Sequence, residues 1–202
     1  DVGGLVATTH SLSDSDFMAG KRNFERNGST GAIVNEGEIK AALGGYIALL
    51  APEVRNQGAI IAQMGTVALA SGESIDLKFD TNNRLTNIRV EPSRIKALID
   101  NRHAVLAPGG LIILSAQSLD RLEGGVVKNS GRIEANGLQQ QGGRIILSAS
   151  KKVENTGSIA ANASAEGPAG KIEISAPEVI NTGTISAHAQ AGSDNSAGSV
   201  LV

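Results

Sequence analysis

The chain has no cysteine and no tryptophan. Thiol catalysis, thiolate metal sites and disulfides are therefore excluded. The absence names no compartment, yet it suits a chain that crosses a periplasm unfolded, where disulfides would trap it. Aromatic side chains are confined to Phe17, Phe24, Phe79 and Tyr46. An enzyme with a deep ligand pocket draws much of its apolar lining from such rings. Charge of one sign is lacking too: 18 basic and 20 acidic residues leave a formal −2. That gives no strong field for nucleic acid or an anionic membrane. No segment approaches the ~20 apolar residues of a membrane helix. No initiator Met or signal-peptide pattern opens the chain, and the run Val200-Leu201-Val202 closes it without a polar cap. Both are expected of a piece of a longer precursor.

What the chain does contain is a repeat. Asn-x-Gly-x-Ile-x-Ala, or a close variant, begins at Asn35, Asn56, Asn101, Asn129, Asn155 and Asn181. After each comes a Gly-x-Ile-x-Leu-x-Ala-like run, as at residues 45–51 and 143–149. A period in the twenties marks a solenoid, in which one coil cannot bury its own apolar face and stacking supplies the core. Small and β-branched residues suit closely stacked strands, and frequent Gly argues against helix. The expectation is all-β, each coil reading strand, turn, strand, with one short turn of helix conceivable at residues 93–99. Ile60 and Ala62 in the first strand, and Val67 and Leu69 in the second, should face inward. Asn56 and Gly58 should form a bend, both tolerating left-handed backbone.

The asparagine spacings are 21, 45, 28, 26 and 26 residues. The long one exceeds its predecessor by 45 − 21 = 24 residues, the length of residues 74–97. Within that stretch two alternating runs flank Asp80-Thr81-Asn82-Asn83, which predicts an extrahelical hairpin. Parallel stacking about 4.8 Å apart would align the six asparagines in a hydrogen-bonded ladder. His103 stands where the other coils have Gly and is expected to be a tolerated bent or left-handed residue. Residues 10–31 do not repeat and read as a long loop or lateral decoration. Residues 162–169 and 190–197 read as small polar loops.

The strings Asp1-Val2-Gly3-Gly4-Leu5-Val6-Ala7-Thr8-Thr9, Asp16-Phe17-Met18-Ala19-Gly20 and Val34-Asn35-Glu36-Gly37-Glu38-Ile39, with residues 44–50, resemble the filamentous haemagglutinin family. More narrowly, they look like the secretion domain of two-partner-secretion exoproteins of the high-molecular-weight adhesin type. Residues 65–72 and the hairpin after them share that layout. The family's Asn-Pro-Asn-Gly-type segment would lie upstream of Asp1. The resemblance implies a right-handed parallel β-helix with an extrahelical hairpin and loops. It implies recognition by a cognate outer-membrane barrel transporter bearing POTRA domains, nucleation of the β-helix, and export to the bacterial surface or beyond. Residues 1–150 would be the C-terminal part of the secretion domain, and residues 151–202 further coils leading into adhesin repeats. The remainder of the precursor would be a partner, and downstream regions would meet a host-cell receptor or glycan. Asp16, Phe17, Lys21, Arg22 and Arg26 are the candidate transporter-recognition residues.

A β-helical polysaccharide lyase or hydrolase is the alternative, suggested by Arg94-Ile95-Lys96. Its companion Asn-Thr-Asp, Asp-Asp and Gly-His-Gly motifs are missing, and glycoside hydrolysis needs two carboxyl groups around one bond. Asp14 with Asp16, or Asp194, could meet Ca²⁺ only within a shell of six or more oxygens. His10, His103 and His188 show no paired metal-ligand spacing. No catalytic residue, cofactor or metal is expected.

Overall fold

A computed structural model describes residues 2–165, 167–190 and 197–202. Strand β1 (Val2–Thr8) precedes a short helix α1 (Asp14–Met18) and strand β2 (Asn23–Glu25). The coils then begin with β3 (Ala32–Asn35) and β4 (Glu38–Leu50), followed by β5 (Glu53–Asn56), β6 (Ala59–Ile61) and β7 (Thr66–Ser71). The antiparallel hairpin β8 (Ser74–Phe79) and β9 (Leu85–Glu91) comes next, turning at residues 80–84. The third coil is β10 (Ala97–Asn101), β11 (Ala104–Leu106) and β12 (Leu111–Ala116). The fourth is β13 (Gly125–Asn129), β14 (Arg132–Glu134) and β15 (Arg144–Ala149); the fifth is β16 (Lys152–Asn155), β17 (Ser158–Ala160) and β18 (Lys171–Ser175). The sixth is β19 (Glu178–Asn181), β20 (Thr184–Ser186) and β21 (Ser199–Leu201).

Successive coils pair in parallel and in register, building a right-handed parallel β-helix. Each coil has three strands rather than the two read from sequence, because the run around Asn56 breaks at its bend into β5 and β6. The first face is β3-β5-β10-β13-β16-β19. The second takes the start of β4 and then β6, β11, β14, β17 and β20; the third takes β1, the end of β4, β7, β12, β15, β18 and β21. Strand β4 crosses the corner and joins these two faces into one sheet.

Alternation sends one set of side chains into the coil. Ile60, Val105, Ile133 and Ile159 stack in register from the second face. Ile47, Val67, Ile112 and Ile145 stack from the third, beside Leu49, Leu69, Leu114 and Leu147. Val54, Ile99, Val127 and Val153 close the core from the first. Most are wholly buried, and at about 25 cal/mol per Å² of apolar surface this column is the main source of stability. On the outside of the first face, Arg55, Asp100, Lys128 and Glu154 occupy one column in alternating sign.

Several local expectations change. The Asn-x-Gly bend uses no left-handed backbone, since neither Asn56 nor Gly58 has positive φ. Its glycine is needed for space: a Cβ on Gly58 would lie 1.9 Å from the Gly37 carbonyl oxygen. His103 takes the bent one of its two expected forms, without left-handed backbone. The corner bond there is longer, with Ala104 N–H donating to Gly58 O at 3.3 Å where Ala59 N–H reaches Gly37 O at 2.9 Å. Ala104, an outward position in register with Ala59 and Arg132, is nonetheless buried. Residues 93–99 form no helix: Ala97 already opens β10, and Ser93 bonds across the coil, its N–H donating to Gln117 O and its carbonyl accepting from Leu119 N–H.

Candidate functional site

Residues 9–31, the non-repeating excursion, leave the coil after β1 and return at β3. They are not all loop. Ser13 caps α1, its hydroxyl accepting from Asp16 N–H, and Asp14 and Asp16 lie in the first turn, where carboxylates favour a helix. None of the α1 residues is buried. Strand β2 then pairs antiparallel with β8, giving a three-stranded sheet β2-β8-β9.

That sheet lies on the outside of the third face. Outward positions there are apolar in the first two coils: Ala48, Leu50, Ala68 and Ala70. Phe24, Ile75, Leu77 and Leu85 cover them, forming a second core separate from the one inside the coil. Tyr46 and Phe79 meet edge to face at 5.1 Å. Further along, the outward positions become mixed, Ser115 and Ser148 beside Ile113 and Ile146, and are polar only in the fifth coil, with Lys171, Glu173 and Ser175. The excursion and hairpin are therefore fixed over the first coils by local sequence.

The five recognition candidates divide between two places. Asp16 and Phe17 belong to α1, with Phe17 62% exposed and Met18 beside it 83% exposed. Lys21 pairs with Asp16 at 3.4 Å, and the Arg22 guanidinium lies 5.9 Å from the Phe79 ring centre, within cation–π range. Lys21, Arg22, Lys78 and Phe79 line an open cleft of about 520 Å³ between the excursion and the hairpin. Asp76 also lines it and is ion-paired to Lys78. Arg26 turns the other way: its Nε donates to Glu73 Oε2 at 2.9 Å and its Nη1 to Ser29 O at 3.1 Å. That bond, with the guanidinium charge, holds the Glu73 carboxyl below its ordinary pKa. Met18, Lys78 and Phe79 were not singled out from sequence, although the alternation of the hairpin run carries Phe79 to the same face as Ile75 and Leu77.

The six asparagines stack. Asn35 Nδ2 donates to Asn56 Oδ1 at 2.8 Å, Asn56 to Asn101 at 2.8 Å and Asn101 to Asn129 at 2.8 Å. Asn129 donates to Asn155, and Asn155 to Asn181, each at 2.7 Å. The second amide proton reaches a backbone carbonyl, as from Asn56 to Ala104 O and from Asn129 to Ser158 O. Each inner amide is thereby satisfied on a buried corner.

The residues weighed for chemistry stay apart. Asp14 and Asp16 share one helical turn, Asp194 lies outside the described residues, and no group of three potential metal ligands occurs among the described residues. Lys96 lies 3.9 Å from Glu123. His10, His103 and His188 sit in the excursion, at a coil corner and after β20 respectively. No helix among the described residues is long and apolar enough to cross a membrane.

Residues 1–161 match the family model of the TPS secretion domain. The fold is similar to the crystal structure of the HMW1 secretion domain from Haemophilus influenzae, with a TM-score of 0.64 and 18% identity over 99% of this chain and 71% of that one. At that identity the likeness speaks for the fold alone. No curated protein sequence matches the chain. With about four fifths of its length matched, and with the β-helix and hairpin that the match leads one to expect, the chain belongs to the family of TPS secretion domains, a secretion-related module of two-partner-secretion exoproteins.

Proposed function

We propose that this chain is the export-recognition and coil-nucleating part of a large bacterial surface adhesin, read by a cognate outer-membrane barrel transporter through its periplasmic POTRA domains. The observation that carries this is the display of Phe17 and Met18 beside the cleft of Lys21, Arg22 and Lys78. Exposed large apolar side chains next to fixed cations are what a partner surface uses for anchoring and orientation. Nothing in the coil needs them, since α1 buries no residue of its own. Residues 1–150 act as the C-terminal part of the recognition module, and residues 151–202 carry the coil onward toward adhesin repeats that meet a host receptor or glycan. The stacked first coils template those that follow, because each new coil finds an edge already in register.

Export of a full-length precursor and binding to the isolated POTRA segment test the proposal. Scrambling residues 16–26, or replacing Phe17 and Met18 by Ser, should weaken both, while deleting residues 151–202 should leave recognition intact. The reverse pattern would overturn the assignment. Turnover of pectin, alginate or glycosaminoglycan, with or without Ca²⁺, would instead favour the carbohydrate-active enzyme; none is expected.

A further inference from the structure

His10 stands where β1 leaves the coil and the excursion begins, and it is 6% exposed. Its Nε2 lies 3.0 Å from the Gly72 carbonyl oxygen. A carbonyl only accepts, so Nε2 carries the proton and Nδ1 of the neutral ring is a bare acceptor. Nδ1 is buried with no hydrogen-bond partner, and so is Thr9 Oγ1. Around the ring two backbone bonds join the ends of the excursion to each other and a third ties them to the hairpin base. Ser11 and Glu25 exchange N–H···O bonds at 2.7 and 2.9 Å, and Arg26 N–H donates to Glu73 O at 2.8 Å. The charged groups facing the ring are Arg26 and Glu25 from the excursion and Glu73 from the base of the hairpin.

A second ring proton on Nδ1 would be a buried charged donor without an acceptor, which costs free energy unless the site opens. We propose that His10 is a pH-sensitive latch, holding the two ends of the excursion, residues 9–11 and 25–26, on Gly72 and Glu73 while neutral and loosening them when the ring takes its second proton. Burial is the largest influence and holds the ring's pKa below 6.5; the Arg26 charge acts in the same direction, while the Gly72 carbonyl and the two carboxylates oppose it. A group whose folded pKa is lowered in this way binds its proton more readily in the unfolded chain. The latch is therefore fully closed above pH 6.5 and weakens as pH falls from there through the lowered folded value.

Amide hydrogen exchange on the whole chain tests this. Between about pH 7.5 and about pH 5, corrected for intrinsic rates, protection at Ser11, Glu25 and Arg26 should fall, by at most about thirtyfold, the limit that a ring titrating near its ordinary 6.5 when released sets at pH 5. Gln57 and Ser130, bonded across coils, should keep theirs. The fall should track titration of the His10 ring followed by NMR, and His10→Gln, whose amide can still donate to Gly72 O, should abolish it. Unchanged protection in the parent protein, an equal fall in His10→Gln, or ring titration without loss of protection would each overturn the latch. If His10→Gln fails to fold, the coincidence of titration and protection in the parent decides. The consequence for transporter recognition rests on the function proposed above, but the exchange readout involves no transporter, so the two can fail separately.

Discussion

Arg26 and Glu73 are joined twice, once by side chains and once by backbone, across 47 positions of sequence. One residue closes the excursion and the other opens the hairpin, so this pair fastens two non-repeating insertions to each other.

Arg26→Ala should therefore cost about 0.5–1 kcal/mol, the range of a partly exposed ion pair, in urea unfolding at neutral pH. Since the Glu73 carboxyl is held below its usual 4.5, the pair's contribution is complete above that value and is lost as pH falls through the folded pKa. Glu73→Gln should flatten that part of the acid limb; an unchanged limb would remove Glu73 from the account.

The ladder predicts unequal costs for equal chemistry. Asn129→Ala strands the buried Asn101 amide and deprives Asn155 of a donor, a loss of about 1–3 kcal/mol. Asn181→Ala, at an exposed rung, should cost less. Equal unfolding midpoints for the two would mean that the stacked amides contribute little.

Ile145→Asp should be worse than either, because it places an unpaired carboxylate among side chains that are wholly buried. Loss of the cooperative thermal transition is the expected result. A transition as high as that of Asn129→Ala would contradict the inward direction of Ile145.

Close approach at the bend gives a paired test. Gly58→Ala drives a methyl into the Gly37 carbonyl and should cost about 1–3 kcal/mol. Gly37→Ala meets nothing within 4 Å and should be nearly neutral, as thermal melts of the two would show.

The coil was legible because its constraint is local and periodic: a residue such as Val67 must be apolar in every repeat and Asn56 must recur. The hairpin was legible from a surplus of length and the alternation of Ile75, Leu77 and Phe79. What stayed hidden depends on contacts distant in sequence. Nothing near Gly58 says that its missing side chain makes room for a carbonyl 21 residues earlier. Likewise His10 shows no motif, and its meaning arises only when Gly72 closes over it. The division of Lys21 and Arg22 from Arg26 is of the same kind, since it is the hairpin base that turns Arg26 inward.

The alternating column of Arg55, Asp100, Lys128 and Glu154 bears on how such a coil avoids assembling with a rung left out. If the chain looped out the third coil and stacked the second directly on the fourth, Arg55 would sit beside Lys128; omission of the fourth would set Asp100 beside Glu154. Like charges about 4.8 Å apart repel, by at most roughly 1 kcal/mol here, since Arg55, Asp100 and Glu154 already pair with Glu53, Arg102 and Lys152. The apolar interior cannot detect either mistake, because its Ile, Val and Leu columns look alike from any coil. The outer charges supply a parity check, readable one rung at a time as the stack grows.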